Sequence, residues 1–149
     1  ELEDNMQQKK KNYLYNTVIK GSEITLPDNL LEYYVNDYKI IYENMASAYN
    51  MDLETLVSIS GYSMEQFEAE ASSYANSMAT RELITKAICA AEGIELTEEE
   101  INEYVSQLAE EYGYESNEEF LKAADIEMIK EDMLFDKVID IIVANSVEI

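Results

Sequence analysis

The chain has 149 residues, 47% of them hydrophobic, and its 10 basic and 32 acidic side chains give a formal charge of -22 at pH 7. This hydrophobic content excludes an intrinsically disordered chain, and the negative charge argues against direct binding to nucleic acid or to an anionic membrane surface. No run of about 18 apolar residues is present, so the sequence predicts no membrane-spanning helix.

The predicted elements are all helices. One proline and four glycines leave few breaks, and apolar residues recur with a period of about 3.6 along most of the chain. Ser63, Thr97 and Ser116 each stand three residues before a Gln or Glu, which is the pattern of a capping box, and Pro27 suits a first helical position. We expect an all-α fold with five long and two short helices, covering residues 2–20, 27–49, 52–59, 63–92, 97–112, 116–123 and 125–144.

Three stretches share one pattern at a helix end, namely residues 18–26, 88–96 and 141–149. In each, an apolar pair is followed by a small or helix-breaking residue and then by an apolar-polar-apolar triplet, which predicts a helix that stops and an extended segment that packs on a core. The residues after the first two stretches also correspond at a spacing of 70: Leu31, Tyr34, Val35 and Tyr42 recur as Ile101, Tyr104, Val105 and Tyr112. The sequence therefore indicates that one construction unit is used twice.

The long helix from Ser63 changes its apolar face along its length. Residues from Met64 to Met78 form one stripe, whereas those from Leu83 to Ile88 lie more than a quarter turn away. We expect a single domain over residues 1–149 with two parts, an arm at 27–80 and a body at 1–26 and 81–149. The last helix is apolar on all sides after Met133, which predicts that this segment is the buried centre of the body.

The sequence offers little for catalysis. It has no histidine, no tryptophan and no glycine-rich phosphate loop, so neither Cys89 nor any serine has an imidazole base. The acidic groups at 98–100 and 110–111 are typical of helix starts and solvated helix faces. We predict no enzyme activity, no cofactor and no metal site, and we expect Cys89, the one cysteine, to pack as a small hydrophobic residue.

Apolar and aromatic residues dominate the second helix. Its wide stripe is predicted to be core and comprises Leu30, Leu31, Tyr34, Val35, Tyr38, Ile41, Tyr42, Met45 and Tyr49. Tyr33 and Ile40 share the opposite face, so they cannot both join that core unless the helix is covered on two sides. Several exposed residues of this kind would form a patch for the apolar surface of a partner.

The chain resembles the C-terminal domain of bacterial trigger factor, a ribosome-associated chaperone. The resemblance covers nearly the whole length and rests on the order and spacing of ITLP at 24–27, YNMDL at 49–53, SGYS at 60–63, EGIELT at 92–97, LAEEYG at 108–113 and the final helix with VEI at 147–149. The chain is more distantly similar to the peptide-binding module of SurA-type periplasmic chaperones. The resemblance implies an elongated arm-and-body architecture, and it implies no catalytic residues in this portion.

The leading hypothesis is an ATP-independent chaperone domain that holds unfolded or nascent polypeptides on apolar arm surfaces. Its candidate substrate-binding residues are Tyr33, Ile40, Tyr62, Met64 and Tyr114. The family's ribosome-binding and prolyl isomerase domains are not among these 149 residues, so ribosome contact is expected only through a domain outside them. The expected compartment is the cytoplasm. Because the chain begins at Glu1 rather than at Met, we expect a fragment or processed form, and an upstream signal would instead indicate an exported or lipoprotein-anchored parent.

Two other functions are compatible with the sequence. The first is a structural module, an acidic helical arm that dimerises or spaces other domains, so a homodimer is an open alternative. The second is an acidic DNA mimic that captures basic proteins, whose binding would collapse with salt. Binding to varied unfolded clients would favour the chaperone hypothesis over both.

Overall fold

The computed structural model describes residues 2–146, with side chains from Asn5 onward. In this range the chain forms seven helices and no strand, which confirms the predicted all-α class with five long and two short helices. The helices are α1 (Leu2–Gly21), α2 (Asp28–Ala48), α3 (Leu53–Ile59), α4 (Met64–Glu92), α5 (Glu98–Glu111), α6 (Asn117–Ala123) and α7 (Ile126–Ala144). Each bound lies within one residue of its predicted position.

Side-chain caps explain why the helix starts could be read from the sequence. Thr97 and Ser63 form full capping boxes, in which the hydroxyl accepts the backbone N–H three residues later and the Glu100 or Gln66 side chain accepts the cap N–H. Ser116 forms only the hydroxyl half of its predicted box, accepting the Glu119 N–H at 3.2 Å. Pro27 precedes α2 as its N-cap rather than opening it, with an extended backbone (ψ 139°).

The three stretches with a common sequence pattern do not end their helices in one way. Only Gly93 adopts the left-handed conformation (φ 66°), whereas the α1 end is closed by Ser22, whose hydroxyl donates to the Val18 carbonyl at 2.7 Å. Asn145 caps α7 with φ -92°, and the triplet predicted at 147–149 lies outside the described residues.

A shared helix ending does exist, but it belongs to α2, α3, α4 and α5. Each is followed by a residue with positive φ, namely Asn50, Gly61, Gly93 or Gly113. The next residue then donates its N–H to a carbonyl five positions back, at 2.8–3.1 Å, as in a Schellman motif. Those next residues are Met51, Tyr62, Ile94 and Tyr114, all apolar or aromatic, as this motif favours.

Gly113→Ala is expected to destabilise the chain by about 1–2 kcal/mol, because Gly113 has φ 75° and a side chain is disfavoured in that conformation. No other atom lies within 4 Å of the position a Cβ would take, so the cost is conformational rather than steric. Gly21→Ala is the matched control, since that site is equally open and its backbone is not left-handed. Urea unfolding of both variants checks this. An equal loss of stability in the two would contradict the backbone explanation.

The chain divides into two compact units. Unit 1 consists of α1, from the chain start to Ser22, and of residues from Ile84 onward, while unit 2 is Glu23–Leu83. Helix α4 contributes to both, and its buried positions change face as predicted. Phe67, Ala71, Ala75 and Ala79 follow each other at intervals of four, whereas the next buried residue is Ile84, five positions further. The assignment of an arm and a body to residues 27–80, 1–26 and 81–149 stays a prediction.

Unit 1 is built around α5, α6 and the first half of α7. Its buried cluster comprises Val105, Ala109, Phe120, Ile129 and Met133. The predicted burial of α7 after Met133 is therefore only partly right. Val138 and Ile139 are buried, but Leu134, Phe135, Ile141, Ile142 and Val143 are half-buried. The reason is that the second half of α7 packs on α1, where Tyr15 meets Phe135 edge-on with ring centroids 5.2 Å apart, rather than within the α5–α6 cluster.

The correspondence at a spacing of 70 holds for three of its four pairs. Leu31, Tyr34 and Val35 pack in the core of unit 2, and Ile101, Tyr104 and Val105 pack in that of unit 1. The fourth pair differs because Tyr42 lies inside α2, whereas Tyr112 falls just after the end of α5 and is largely exposed.

An ion pair at the start of α5 gives unit 1 an acid-sensitive contact. Lys137 Nζ lies 2.6 Å from Glu100 Oε1 and also donates to the Glu95 carbonyl at 3.2 Å, joining α7 to the segment before α5. The Lys137 hydrogen bond, followed by the Thr97 N–H, lowers the pKa of Glu100 from 4.5 to about 2.

Glu100 should therefore stabilise the fold fully above its unfolded pKa of 4.5, and this contribution should disappear as the pH falls towards 2. Glu100→Gln keeps an acceptor for the capping box but removes the charge. The free energy of unfolding of this variant should therefore depend less on pH in this range than that of the wild type. Urea unfolding across that pH range measures the effect, with Glu99→Gln as a control that removes a neighbouring charge without touching Lys137. A wild-type profile identical to that of Glu100→Gln would contradict the assignment.

Candidate functional site

The frame of unit 2 is an antiparallel pair formed by α2 and the first half of α4. Buried alanines on α4 leave room for aromatic rings of α2 to pack closely. Tyr38 is central, with ring centroids 5.1 Å from Tyr74, 5.3 Å from Phe67 and 4.7 Å from Tyr42. The predicted core stripe of α2 is therefore correct for Leu30, Leu31, Tyr34, Val35, Tyr38 and Tyr42.

Carboxylates accept hydrogen bonds from the hydroxyls of these rings. Tyr34 donates to Glu82 at 2.7 Å, Tyr74 to Asp37 at 3.0 Å, and Tyr38 to Glu70 at 3.3 Å. Burial, reinforced by the neighbouring carboxylate, raises the pKa of Tyr74 to about 12. Burial and the adjacent Tyr42 hydroxyl likewise raise the pKa of Tyr38. The packing of these aromatic rings between α2 and α4 therefore depends on protonated tyrosine hydroxyls.

Unit 2 is expected to lose stability in alkali. A tyrosine whose folded pKa is raised stabilises the fold fully below its unfolded pKa of 10.0, and for Tyr74 this contribution is lost as the pH rises to about 12. Tyr74→Phe cannot ionise and should weaken the pH dependence in this range, as measured by denaturant unfolding and by tyrosinate absorbance. Tyr13→Phe, at an exposed ring of α1, should leave the late-titrating component in place. Loss of that component in Tyr13→Phe would contradict its assignment to Tyr74.

The other three residues of the predicted core stripe lie on the surface. Ile41, Met45 and Tyr49 are between 44% and 66% exposed, so their assignment to the core was wrong. The physical reason is the position of the contact between the helices. Phe67, in the first turn of α4, packs on Tyr42, with ring centroids 5.2 Å apart. Ile41, Met45 and Tyr49 lie beside or beyond this contact, and neither α4 nor the seven-residue α3 covers them.

Further apolar residues are exposed on α3 and at the two corners that flank it. We define the α2–α3 surface as the exposed large apolar side chains on the stripe side of α2 and on or beside α3, namely Ile41, Met45, Tyr49, Met51, Ile59 and Tyr62. Ile40 is also exposed but lies on the opposite face of α2. Isolated exposed apolar residues are common, but six within 22 consecutive positions are typical of a contact surface.

Within residues 40–80, the segment that carries this surface, all charged side chains have one sign. No Lys or Arg occurs between Lys39 and Arg81, whereas the same segment contains Glu43, Asp52, Glu54, Glu65, Glu68 and Glu70. The α2–α3 surface is therefore apolar and anionic, so it favours partners that are apolar and cationic.

An open cavity of about 140 Å³ lies within unit 2 where α2, α3 and α4 meet. Leu56, Val57 and Phe67 are its buried lining residues, and Tyr42 is half-buried beside them. Ser60, Tyr62 and Glu70 complete the lining, and Glu70 is its single charged residue.

Four of the five predicted substrate-binding residues lie in unit 2. Tyr33 is 62% exposed on α2, where its ring meets that of Tyr34 edge-on, and Ile40 is exposed on the same helix. Tyr62 follows Gly61 at the corner before α4 and lines the cavity, while Met64, the first residue of α4, is half-buried and does not. The substrate-binding role of these residues stays a prediction.

Tyr114 belongs to unit 1, apart from the other four in the sequence and in the division into units. It follows Gly113 after α5, and its ring packs edge-on against Phe120 with centroids 5.4 Å apart. Tyr62 and Tyr114 therefore occupy equivalent positions in two Schellman motifs, where an apolar residue also serves the helix end.

Sequence reasoning missed Ile41, Met45, Tyr49, Met51 and Ile59 as surface residues. For Met45 and Tyr49 the available signal was the length of α2, whose last turns follow the contact with Phe67 at Tyr42. Ile41 lies at the edge of the stripe, where periodicity left its exposure undecided. Met51 follows Asn50, and Ile59 lies two residues before Gly61, both of which have positive φ. Their places at helix ends left their exposure undecided from the sequence.

The described residues hold no cluster of three or more acidic, Cys or His side chains arranged for a metal ion. None of the helices between residues 2 and 146 is long and apolar enough to cross a bilayer. Cys89 is a free, half-buried thiol whose pKa is raised by burial.

These features define an all-helical, acidic protein of two compact units, one of which presents an apolar surface. Residues 1–144 match the family described as the bacterial trigger factor protein C-terminus. The chain belongs to this family, as the resemblance of its motifs indicated.

Curated relatives agree with this assignment. The chain is 28% identical to the trigger factor of Acetivibrio thermocellus over 132 residues, which are 87% of this chain and 31% of that protein. It is 27% identical to the trigger factor of Listeria innocua over 146 residues, covering 98% of this chain and 34% of that protein. It is 28% identical to the trigger factor of Mesoplasma florum over 135 residues, which are 91% of this chain and 32% of that protein. The chain thus spans about a third of these relatives, and no solved structure matches it significantly.

Proposed function

We propose that the chain is the polypeptide-binding portion of a trigger factor-type chaperone, which holds unfolded or nascent segments without ATP. The observation that carries this proposal is the α2–α3 surface, with six exposed large apolar side chains in a segment whose charged residues are all acidic. Binding would come from burial of apolar area, to which Tyr33 and Met64 of unit 2 and Tyr114 of unit 1 also contribute. Tyr and Met suit varied clients because their contacts tolerate different partner shapes.

The acidic residues keep such a surface soluble. A net charge far from zero makes two copies of the chain repel each other, which opposes self-association through the exposed apolar residues. The same charge attracts unfolded clients that carry Lys and Arg. The dimerising structural module predicts the opposite, a stable interface with one fixed partner of about 1,200 Å² or more.

The proposal extends to the setting of the whole protein. The chain spans about a third of its trigger factor relatives, which is compatible with a longer parent protein. We propose that this parent is cytoplasmic and that ribosome contact and prolyl isomerisation would reside in its other domains. We assign no catalytic step and no cofactor to the portion described here.

An aggregation assay tests the proposal. A denatured model protein is diluted into buffer with and without the 149-residue chain, and light scattering is followed at low and at high salt. We expect the chain to delay aggregation without ATP and to retain most of the effect at high salt, because apolar burial is not screened. Absence of any delay at a several-fold molar excess would refute the proposal. A delay that vanishes with salt would favour the acidic mimic.

A further inference from the structure

The cavity where α2, α3 and α4 meet has the size of a single side chain. An apolar protein cavity of about 150 Å³ can take up a benzene molecule, and this one has about 140 Å³. Tyr42, Leu56, Val57 and Phe67 give it apolar and aromatic walls. A branched aliphatic or aromatic side chain would fill it and would exchange water for apolar contacts.

The negative charge of Glu70 at the cavity favours a cationic residue near the apolar side chain of a bound segment. Glu70 accepts one hydrogen bond from the Tyr38 hydroxyl at 3.3 Å, and a carboxylate has acceptor sites for several more. No cationic residue occurs between positions 40 and 80. A Lys or Arg of a bound segment could therefore pair with Glu70, since this part of the sequence contains no Lys or Arg that would compete for it.

We propose that this cavity is a specific subsite of the α2–α3 surface, which takes one large apolar side chain of an extended segment while Glu70 pairs with a Lys or Arg two residues away. The spacing of two follows from extended backbone geometry, since side chains at i and i+2 point to the same face about 7 Å apart. The inference rests on the proposed function and adds a sequence preference to it.

Fluorescently labelled, unstructured Gly/Ser peptides serve as probes. The reference peptide carries one Phe and an Arg two residues later, and affinity is measured by anisotropy with the 149-residue chain. Replacing the Phe by Ala should weaken binding about tenfold, since it removes the buried side chain. Replacing the Arg by Glu should weaken it roughly fivefold, as for a partly exposed ion pair. Moving the Arg to the adjacent position should remove most of its contribution.

Two variants test the subsite itself. Ser60→Leu narrows the cavity from its exposed side and should reduce binding of the Phe peptide to the level of the Ala peptide. Glu70→Gln should abolish the preference for Arg over Glu, whereas Glu68→Gln removes a charge two positions earlier on α4, outside the cavity lining, and should leave the preference unchanged. If Ser60→Leu lowers the stability of the fold, its binding result cannot be interpreted alone. Glu70→Gln then still tests the subsite, because Glu70 is exposed and its replacement should not unfold the chain.

The subsite is refuted if Ser60→Leu binds the Phe peptide as tightly as the wild type, or if Glu70→Gln and Glu68→Gln change the Arg preference equally. These outcomes are separable from failure of the proposed function. A chain that delays aggregation but shows no dependence on Ser60 or Glu70 retains its function and loses only the subsite. A chain that neither delays aggregation nor binds any peptide loses both.

Discussion

Ile41→Ser, Met45→Ser and Tyr49→Ser, combined in one variant, should remove most of the ability of the chain to delay aggregation. The three side chains are exposed, so the variant loses client contacts while the core stays intact. If each contributes about 1 kcal/mol of apolar contact to a bound client, the combined loss of 3 kcal/mol corresponds to roughly 150-fold in affinity. Light scattering with a denatured client and peptide anisotropy measure the loss.

The matched control for this variant lies in unit 1. Met6, Tyr13 and Met128 are exposed to a similar or greater degree and also lie on helices. Their simultaneous replacement by serine removes as many large apolar side chains from a different surface. It should leave most of the delay in place. Equal losses in the two triple variants would mean that general stickiness, rather than the α2–α3 surface, accounts for the activity.

Phe67→Ala should cost about 3–5 kcal/mol of folding stability, the range for deletion of a buried aromatic ring. Phe67 is 3% exposed, packs against Tyr38 and Tyr42, and forms a wall of the cavity. Its loss leaves a void at the point where α2, α3 and α4 meet, because the alanines of α4 cannot fill it. Urea unfolding measures the effect on stability.

Phe67→Leu is the control for this substitution. It keeps much of the apolar volume and should lose clearly less stability than the alanine variant. Stability of Phe67→Ala within 1 kcal/mol of the wild type would contradict the assignment of Phe67 to the core.

The helices were predictable because their ends are encoded locally. Thr97 with Glu100 and Ser63 with Gln66 satisfy backbone donors within four residues, so their sequence pattern alone indicates the helix start. Helix ends were less predictable. Gly21 and Gly93 occupy similar sequence contexts, yet only Gly93 has positive φ, because Ser22 closes α1 by a side-chain hydrogen bond instead.

The exposed surface was harder to predict because exposure depends on what packs against a helix. The periodicity of α2 places Ile41 and Met45 close to the same stripe as Tyr34 and Tyr38. Periodicity does not show which part of the stripe the partner helix covers, and Phe67, in the first turn of α4, packs on Tyr42. Tyr33 and Ile40 could be identified as exposed since their face is opposite to the stripe, and both are exposed.

The central claim is that unfolded polypeptides bind at the α2–α3 surface of unit 2. Amide chemical-shift mapping of the isotope-labelled chain with an unfolded client tests it most directly. We predict that the largest shifts fall between Ile40 and Glu70, with the maximum around Met45, Tyr49 and Tyr62, and that they persist at high salt. Shifts confined to residues outside Glu23–Leu83, or no shifts at saturating client, would contradict the account.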